Sequence, residues 1–209
     1  MSDKVTFYTN PMSRGRIIRW MLEETGISYN TEYLTFGGTM KAGDYLALNP
    51  MGKVPAIHHR GNIVTECAAI CAYLADAFPE AGLAPPNDDR ARYYRWMFFT
   101  AGPLEASVTN RSLGFVTPPD KARMAGYGMF ENVMDTLEGA VSVSPYIAGD
   151  RFTAADVYVG AQIGWGLRFG TIENRQSFVE YWSRVSDRDA YRRATEKDDT
   201  ATQEMQKAG

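Results

Sequence analysis

Residues 49–57 have the sequence NPMGKVPAI, which is the most informative local pattern in the chain. Pro55 opens a short apolar segment, and a proline at the first position of a strand commonly marks a bend. The bond before Pro55 can also be cis, which would turn the backbone of Val54 outward and offer its N–H and C=O to an extended peptide. The run therefore predicts either a structural bend or a peptide-binding turn.

A helix is predicted shortly after this run, beyond a hairpin turn at Gly61-Asn62. This helix begins near Glu66, and the free N–H groups and positive dipole end of a helix suit a bound carboxylate. The carboxylate of Glu66 itself suits an ammonium group. Together with the backbone of Val54, this helix start predicts a site for a small zwitterionic peptide.

Strand and helix signals alternate through residues 1–81. Residues 5–8 predict a strand, a helix follows Ser13 and ends at Gly26, and residues 27–34 predict a second strand parallel to the first. With the later strand, hairpin and helix, the order is βαβ followed by ββα. Residues 1–81 are therefore predicted to form a thioredoxin-like α/β domain.

The composition changes after residue 79, where Pro, Gly, Asn and Asp become frequent. This change predicts a linker over residues 82–88, followed by an all-helical domain over residues 89–209 that forms a helical bundle. Helices are predicted over residues 90–113 and 119–143. A third helix begins at Thr153, whose side chain and that of Asp156 form a capping-box pattern. The predicted fold class is therefore α/β plus all-α.

Composition and charge exclude several classes of protein. The formal net charge is −3 with no block of basic residues, so nucleic acid is not an expected partner. His58 and His59 are adjacent on a predicted strand and point to opposite faces, so no metal site is expected. The sequence contains no stretch of roughly 18 apolar residues, so no membrane span is predicted. The start of the chain lacks signal-peptide features, and its two cysteines do not resemble a secreted disulfide framework, so a cytoplasmic location is predicted.

The NPMGKVPAI run, the Glu66-Cys67 pair ahead of the Ala-x-Ile pattern, and the capping box at Thr153 occur in an order and spacing that resemble the cytosolic glutathione transferase family. The resemblance covers nearly the whole chain and is of a bacterial type, with the class left open. It implies a homodimer that uses glutathione as a co-substrate. The aromatic stretch Tyr93–Phe99 is the expected contributor to the dimer interface, although such residues are also common in a core.

The resemblance also assigns roles around glutathione. Val54, held by Pro55, would pair its backbone with the cysteinyl part of glutathione. Lys53, together with Lys41, would meet the glycyl carboxylate, and Lys53 can equally be an ordinary loop lysine. These residues form one half of the implied binding site.

Glu66 and the residue after it would hold the γ-glutamyl end of glutathione. The family usually has serine after this glutamate, whereas this chain has Cys67, and a thiol is a poorer hydrogen-bond donor than a hydroxyl. The backbone N–H is retained, so binding is expected to persist. Cys67 and Cys71 can also be two small buried residues on one helix face.

Thiol activation is the chemistry implied by the resemblance, because the thiolate is the nucleophile and a free thiol is mostly protonated at neutral pH. Ser13, beside Arg14 at the start of the first helix, is the candidate hydroxyl that stabilises the thiolate. Ser13 can also be only a helix cap. Alignment shifts place Met12 or Arg14 at the equivalent position, and Tyr8 and Asn10 are the other nearby donors. Residues 11–14 contain no cysteine, so dithiol chemistry on the protein is not expected.

The predicted function is that of a glutathione S-transferase. The enzyme would activate glutathione to attack hydrophobic electrophiles, as in detoxification, or to reduce peroxides or mixed disulfides. Two alternatives remain open at this point. One is a non-catalytic binding or interaction protein with the same fold, and the other is a glutathione-dependent isomerase.

Overall fold

The computed structural model describes residues 4–208 of the chain. It contains two compact units. The first consists of the residues up to Leu83 together with those from Arg188 onward, and the second consists of Ala84–Asp187. Each unit has its own buried apolar residues.

The first unit contains a four-stranded mixed sheet with the order β2-β1-β3-β4. β1 runs parallel to β2 and antiparallel to β3, and β3 runs antiparallel to β4. This topology confirms the predicted thioredoxin-like order βαβ followed by ββα. The elements are β1 (Val5–Thr9), α1 (Gly15–Thr25), β2 (Tyr29–Tyr33), α2 (Gly43–Leu48), β3 (Ala56–His59), β4 (Asn62–Thr65) and α3 (Cys67–Ala77).

Helix α1 packs on the sheet through the apolar stripe that its sequence predicts. Ile17, Ile18, Met21 and Leu22 are all at most 1 % exposed. The helix ends at Gly26, which has a φ of 69° in the left-handed region that glycine adopts without a steric penalty. This ending allows the chain to enter β2 after only a short connection.

The second unit is helical. Its helices are α4 (Ala91–Phe99), α5 (Glu105–Ser112), α6 (Phe130–Val143), α7 (Ala154–Phe169) and α8 (Gln176–Ser186). Within residues 84–187 the only β feature is an isolated bridge between Tyr146 and Gly149. The capping box at the start of α7 is present, with the backbone N–H of Thr153 donating to Asp156 Oδ2 at 2.8 Å. The predicted all-helical character of this region is confirmed.

Two helix boundaries in this unit differ from the sequence prediction. The helix predicted over residues 90–113 contains a π-helical turn at Thr100–Leu104, because Pro103 lacks the N–H that an α-helical turn requires. The helix predicted over residues 119–143 begins only at Phe130. A short 3₁₀ segment, Pro119–Met124, precedes it, and Gly128 has a φ of 69° that interrupts a continuous helix.

The last helix, α9 (Asp189–Ala208), belongs to the first unit. The guanidinium of Arg188, directly before it, donates to Glu24 of α1 at 2.7 Å, and the Tyr191 ring lies edge-on against Trp20 with 4.9 Å between centroids. Contacts therefore group α9 with the sheet, apart from the other helices of residues 89–209. The division into domains 1–81 and 89–209 with a linker at 82–88 stays a prediction. Within residues 4–208 no helix has both the length and the apolarity needed to cross a bilayer.

Candidate functional site

The carboxyl end of β1 and the adjoining ends of β3 and β4 meet at one edge of the sheet. Ala56 pairs with Tyr8 on one side and with Thr65 on the other. Because both pairings are antiparallel, Pro55 and Glu66 lie next to each other, one residue beyond their strands. The register therefore brings together the two halves of the binding site predicted from the sequence.

The turn that leaves β1 is fixed by the side chain of Asn10, which is 1 % exposed. Its amide donates to the Leu34 carbonyl at 2.8 Å and its Oδ1 accepts from the backbone N–H of Met12 at 2.9 Å. The second contact is an Asx-turn, a local geometry that asparagine favours. Asn10 thus sets the direction in which the chain enters α1.

Ser13 lies inside this turn and is half-buried. Its hydroxyl donates to the Asn10 carbonyl at 2.6 Å and accepts from the backbone N–H of Gly15 at 2.9 Å. Arg14 is the N-cap residue of α1, and the helix has no side-chain cap bond, so Ser13 forms a local turn just before the helix. The side chain of Arg14 is exposed at the start of α1.

Gly15 permits a close approach between this turn and β1. A Cβ placed on Gly15 would lie 1.9 Å from Thr9 Oγ1, far inside van der Waals contact. Thr9 is fully buried, so it has no room to move away. The first residue of α1 must therefore be glycine for Ser13 and Arg14 to lie where they do.

A second turn leads into β3, and its shape depends on α2 and the residue that follows it. The Lys53 carbonyl accepts from the hydroxyl of Tyr45 at 2.5 Å and from the side-chain amide of Asn49 at 2.8 Å. Asn49 Oδ1 accepts from the backbone N–H of Met51 at 3.2 Å, which is a second Asx-turn. Tyr45 and Asn49 are both buried, so the Lys53 backbone is held from the interior.

Lys41 holds the same turn from outside. Its ammonium donates to the Met51 carbonyl at 3.1 Å and to the Gly52 carbonyl at 2.8 Å. Gly52 has a φ of 54°, and a Cβ there would lie 2.8 Å from Lys41 Nζ. The ammonium of Lys41 is thus used within the protein, whereas Lys53 is exposed and has no side-chain partner within residues 4–208.

The Val54-Pro55 bond is cis, as one of the two interpretations of the sequence requires. In the described part of the chain, neither the N–H nor the C=O of Val54 has a hydrogen-bond partner. The side chain of Val54 packs against the buried cluster of Met40, Tyr45 and Ala56, so the residue is held by its side chain and not by backbone hydrogen bonds. A polar backbone of this kind can extend a strand by pairing with a bound peptide.

Glu66 caps α3 in an unusual conformation, with a φ of 69° and a ψ of 124°. A positive φ is uncommon for a residue other than glycine and is concentrated at functional sites. The side chain of Glu66 is exposed, and its carbonyl accepts the first α3 bond from the Ile70 N–H at 2.9 Å. The N–H groups of the first turn of α3 accordingly lie at the sheet edge beside Glu66.

Cys67 connects the two helix starts. It is 7 % exposed, and its thiol donates to the Arg14 carbonyl with 3.9 Å between Sγ and O. The amino ends of α1 and α3 therefore adjoin, which brings Ser13 and Arg14 beside Glu66 and Cys67. Cys71 is fully buried, and burial raises the pKa of its thiol well above the usual value.

Sequence reasoning named Asn10 only as a possible thiolate donor and did not identify Asn49 or Tyr45, and all three residues shape the turns of the site. Both asparagines precede a proline and a methionine, in Asn-Pro-Met triplets at residues 10–12 and 49–51. That repeated triplet is a signal for Asx-turns that the sequence does contain. The role of Tyr45 depends on a contact eight residues away along the chain, for which the sequence offers no pattern.

The second unit contains a cavity of about 240 Å³ between the end of α5 and the start of α6. Arg111, Phe115, Tyr127 and Phe130 are among its lining residues. The Tyr127 hydroxyl is bonded to Asn110 at 3.1 Å and to Thr117 at 2.9 Å, and these hydrogen bonds lower its pKa. Apolar walls with a few polar groups are typical of pockets for small organic molecules.

Comparison with known proteins finds similarity to glutathione S-transferases, first in sequence. The sequence profile described as "Glutathione S-transferase, N-terminal domain" matches residues 12–77. The chain is similar to the Glutathione S-transferase GST-4.5 of Xanthomonas campestris pv. campestris, with 32% identity over 143 residues, 63% of this chain and 68% of that protein. It is also similar to the Glutathione S-transferase GstA of Escherichia coli O157:H7, with 29% identity over 149 residues, 69% of this chain and 73% of that protein.

Solved structures agree with these sequence similarities. A glutathione transferase from Methylococcus capsulatus str. Bath has a TM-score of 0.77 at 27% identity, covering 94% of this chain and 99% of that one. A sphingomonad glutathione S-transferase complexed with glutathione has a TM-score of 0.74 at 25% identity, covering 92% and 98% of the two chains.

Proposed function

This chain belongs to the glutathione transferase family, and on that premise we propose that it binds glutathione as a co-substrate and activates the glutathione thiol. The activated thiol attacks a hydrophobic electrophile, which joins the glutathione sulfur to the electrophilic carbon and releases the leaving group. The observation that carries this proposal is the open backbone of Val54, next to Glu66 and the amino end of α3.

The peptide part of glutathione fits this sheet edge group by group. The N–H and C=O of Val54, oriented by Pro55, pair with the backbone of the cysteinyl residue. The γ-glutamyl ammonium meets the exposed carboxylate of Glu66, and the γ-glutamyl carboxylate meets the N–H groups of the first turn of α3. Cys67 contributes its backbone to this contact, because its thiol already donates to the Arg14 carbonyl.

We assign the glycyl carboxylate of glutathione to Lys53. Its ammonium is exposed and has no side-chain partner among the described residues. Lys41 was predicted to share this role, but its ammonium is bonded to two carbonyls of the turn. Lys41 therefore acts in our proposal by holding the backbone that leads to Val54.

The thiolate is stabilised at the amino end of α1. The free N–H groups and the positive dipole end of a helix favour a negative sulfur. Ser13 is the hydroxyl donor in this proposal, and its proton must turn from the Asn10 carbonyl to the sulfur. The thiol proton passes to solvent. Arg14 is the alternative group, because its cationic side chain is exposed at the same helix start.

A direct test separates binding from catalysis. We expect the protein to be retained on immobilised glutathione and to conjugate glutathione with an aryl halide. Assays with an organic hydroperoxide and with a glutathione mixed disulfide, run on the same preparation, identify the preferred reaction. Retention without turnover of any of these substrates would favour the binding or interaction protein, and isomerisation of an unsaturated acid without conjugation would favour the isomerase. Failure to be retained would overturn the proposal.

We further propose a cytoplasmic homodimer that serves in detoxification and whose interface includes α4. The large side chains of Tyr94 and Phe98 are 38 % and 67 % exposed on that helix, with 6.3 Å between their ring centroids. Tyr93 and Trp96 are buried in the second unit and belong to its core. Exposed aromatic residues are enriched at protein interfaces. Light scattering is expected to give about twice the chain mass of 23.3 kDa, and a monomer mass would contradict the dimer.

A further inference from the structure

A second polar cleft lies within the first unit, between the edge strand β2 and helix α9. It has a volume of about 670 Å³, a size that accommodates small ligands. It shares no lining residue with the proposed glutathione site. The lining of this α9 cleft includes Thr31, Tyr33, Glu196, Lys197 and Glu204, with Arg19 at its floor.

The floor of the α9 cleft is built on a buried guanidinium. Arg19 is 2 % exposed and donates to Thr31 Oγ1 at 2.8 Å, to the Tyr33 hydroxyl oxygen at 3.0 Å and to Asp198 at 3.1 Å. Since the two hydroxyl oxygens accept from Arg19, their own protons are available to another acceptor. Within residues 4–208 no group accepts either proton. The cleft therefore presents two hydroxyl donors whose oxygens are held by a guanidinium that is itself ion-paired with Asp198.

The α9 side of the cleft carries negative charge. Glu196 and Glu204 have no hydrogen-bond or ion-pair partner in the described part of the chain. Burial raises the pKa of the Tyr33 hydroxyl, the Arg19 guanidinium opposes that rise, and the carboxylates of Asp198 and Glu204 add to it. Lys197, by contrast, is paired with the carboxylate of Glu23.

These charges select among classes of ligand. A simple anion would face the carboxylates of Glu196 and Glu204. A simple cation would leave the hydroxyl protons of Thr31 and Tyr33 without an acceptor. A molecule that carries both charges satisfies both sides of the cleft. We propose that the α9 cleft binds a small zwitterion of the amino-acid or short-peptide class. Its carboxylate accepts from Thr31 and Tyr33, and its ammonium lies against Glu204. The proposal does not depend on glutathione binding at the other site.

The test uses the isotope-labelled full-length protein and three probes that share the glycylglycine backbone and differ at their charged ends. Glycylglycine carries both charges, N-acetylglycylglycine lacks the ammonium, and glycylglycinamide lacks the carboxylate. We expect glycylglycine to shift the amide resonances of residues 28–33 and 196–204 with a dissociation constant on the order of 1 mM. Each single-charge probe is expected to bind about fivefold more weakly than glycylglycine, because it loses one charge-assisted hydrogen bond.

Two variants and one control locate the binding. Tyr33→Phe removes one donor and Glu204→Gln removes one carboxylate, and each is expected to weaken glycylglycine about threefold or more. Glu80→Gln removes an exposed carboxylate outside the cleft and is expected to leave the affinity unchanged. No saturable shift in residues 28–33 and 196–204, equal binding of the three probes, or equal affinity in all three variants would each overturn the proposal. Shifts confined to residues 53–54 and 66–69 would also overturn it, since they report only the glutathione site.

Discussion

The two Asn-Pro-Met turns, at residues 10–12 and 49–51, share one local geometry and lead to different surroundings. In each, the asparagine Oδ1 accepts from the backbone N–H two residues later, at 2.9 Å for Asn10 and 3.2 Å for Asn49. In each, the side-chain amide donates to a backbone carbonyl at 2.8 Å, that of Leu34 or that of Lys53. The two turns differ in which of their polar groups remain without a partner inside the protein.

The first turn uses its polar groups internally and ends at a helix. Ser13 bonds to the Asn10 carbonyl and to the Gly15 N–H, and α1 begins directly afterwards. The second turn is held by the side chains of Lys41, Tyr45 and Asn49 and leaves the next residue, Val54, without backbone partners in residues 4–208. The comparison suggests a division of labour, with chemistry at the first turn and peptide recognition at the second.

The largest expected effect breaks the first turn. Gly15→Ala places a Cβ 1.9 Å from Thr9 Oγ1, and the buried strand cannot yield without losing packing. We expect the free energy of unfolding to fall by about 3 kcal/mol, the upper part of the range for overpacking. Gly43→Ala is the matched control, since a Cβ at that helix start meets no other atom within 4 Å. Chemical denaturation of both variants measures the difference, and equal stabilities would show that the close approach at Gly15 is not required.

The next effect separates the two turns by function. Asn10→Ala removes the side-chain donor to the Leu34 carbonyl, and Asn49→Ala removes one of the two donors to the Lys53 carbonyl, which keeps its bond from the Tyr45 hydroxyl. Each variant also loses its Asx-turn bond, and the two lost hydrogen bonds should cost about 2 kcal/mol of unfolding free energy. Their kinetic effects should differ: Asn49→Ala raises KM for glutathione with kcat nearly unchanged, whereas Asn10→Ala lowers kcat. Asn62→Ala, at an exposed position, controls for asparagine loss. The same kinetic pattern in both turn variants would refute the division of labour.

A third effect concerns the thiolate at the first turn. If Ser13 is the donor, Ser13→Ala raises the pKa of the bound glutathione thiol by about one unit, or about 1.4 kcal/mol, and leaves glutathione affinity largely intact. Because the thiolate is then less populated, activity at neutral pH falls and recovers as the pH rises. Thiolate absorbance titrated against pH in wild type, Ser13→Ala and Arg14→Ala measures this. An unchanged pKa in Ser13→Ala with a raised pKa in Arg14→Ala would assign the role to the arginine.

A fourth, smaller effect distinguishes two lysines at the second turn. Lys53→Met is expected to raise KM for glutathione about fivefold and to leave KM for the glycyl ethyl ester unchanged, because the ester has no glycyl carboxylate. Lys41→Met is expected to raise both KM values equally, because it loosens the backbone before Val54. Lys41→Arg keeps a cationic donor at this position and should leave both KM values close to those of the wild type. A selective loss for free glutathione in Lys41→Met would instead make Lys41 a carboxylate ligand.

The sequence predicts the sheet well because its strands and turns are marked by local patterns. The apolar stripe of α1, the stop at Gly26 and the hairpin at Gly61-Asn62 each depend on residues close together in the chain. The packing of α9 on the sheet was not predicted, since it depends on pairs such as Arg188 with Glu24 that are separated by 164 residues. The break at Thr100–Leu104 was missed although Pro103 marks it, because the dense aromatic pattern around it favours one helix.

The candidate site was predictable where a motif spans it and not where distant side chains shape it. Val54, Pro55 and Glu66 lie in a recognisable run, and the sheet register brings them to one edge. The ammonium of Lys41 bonds to carbonyls ten and eleven residues away. No sequence pattern distinguishes that use of a lysine from binding a ligand carboxylate. Only the geometry of the turn does so.

The smallest expected effect concerns Cys67, which lies between the two turns at the start of α3. Its thiol donates to the Arg14 carbonyl over 3.9 Å, a contact that suits the long C–S bond of cysteine. In Cys67→Ser the hydroxyl is a stronger donor on a shorter bond, so it is free to turn toward the γ-glutamyl carboxylate. The backbone N–H is unchanged, and we expect glutathione affinity to stay equal or tighten by up to about threefold, within the worth of one hydrogen bond.

Cys71→Ser is the control, because that thiol is fully buried and its substitution should affect stability without affecting glutathione binding. Calorimetric titration of glutathione into both variants measures the change. A clear loss of affinity in Cys67→Ser, or a glutathione adduct on Cys67 found by mass spectrometry after oxidation, would show that the thiol itself takes part in binding.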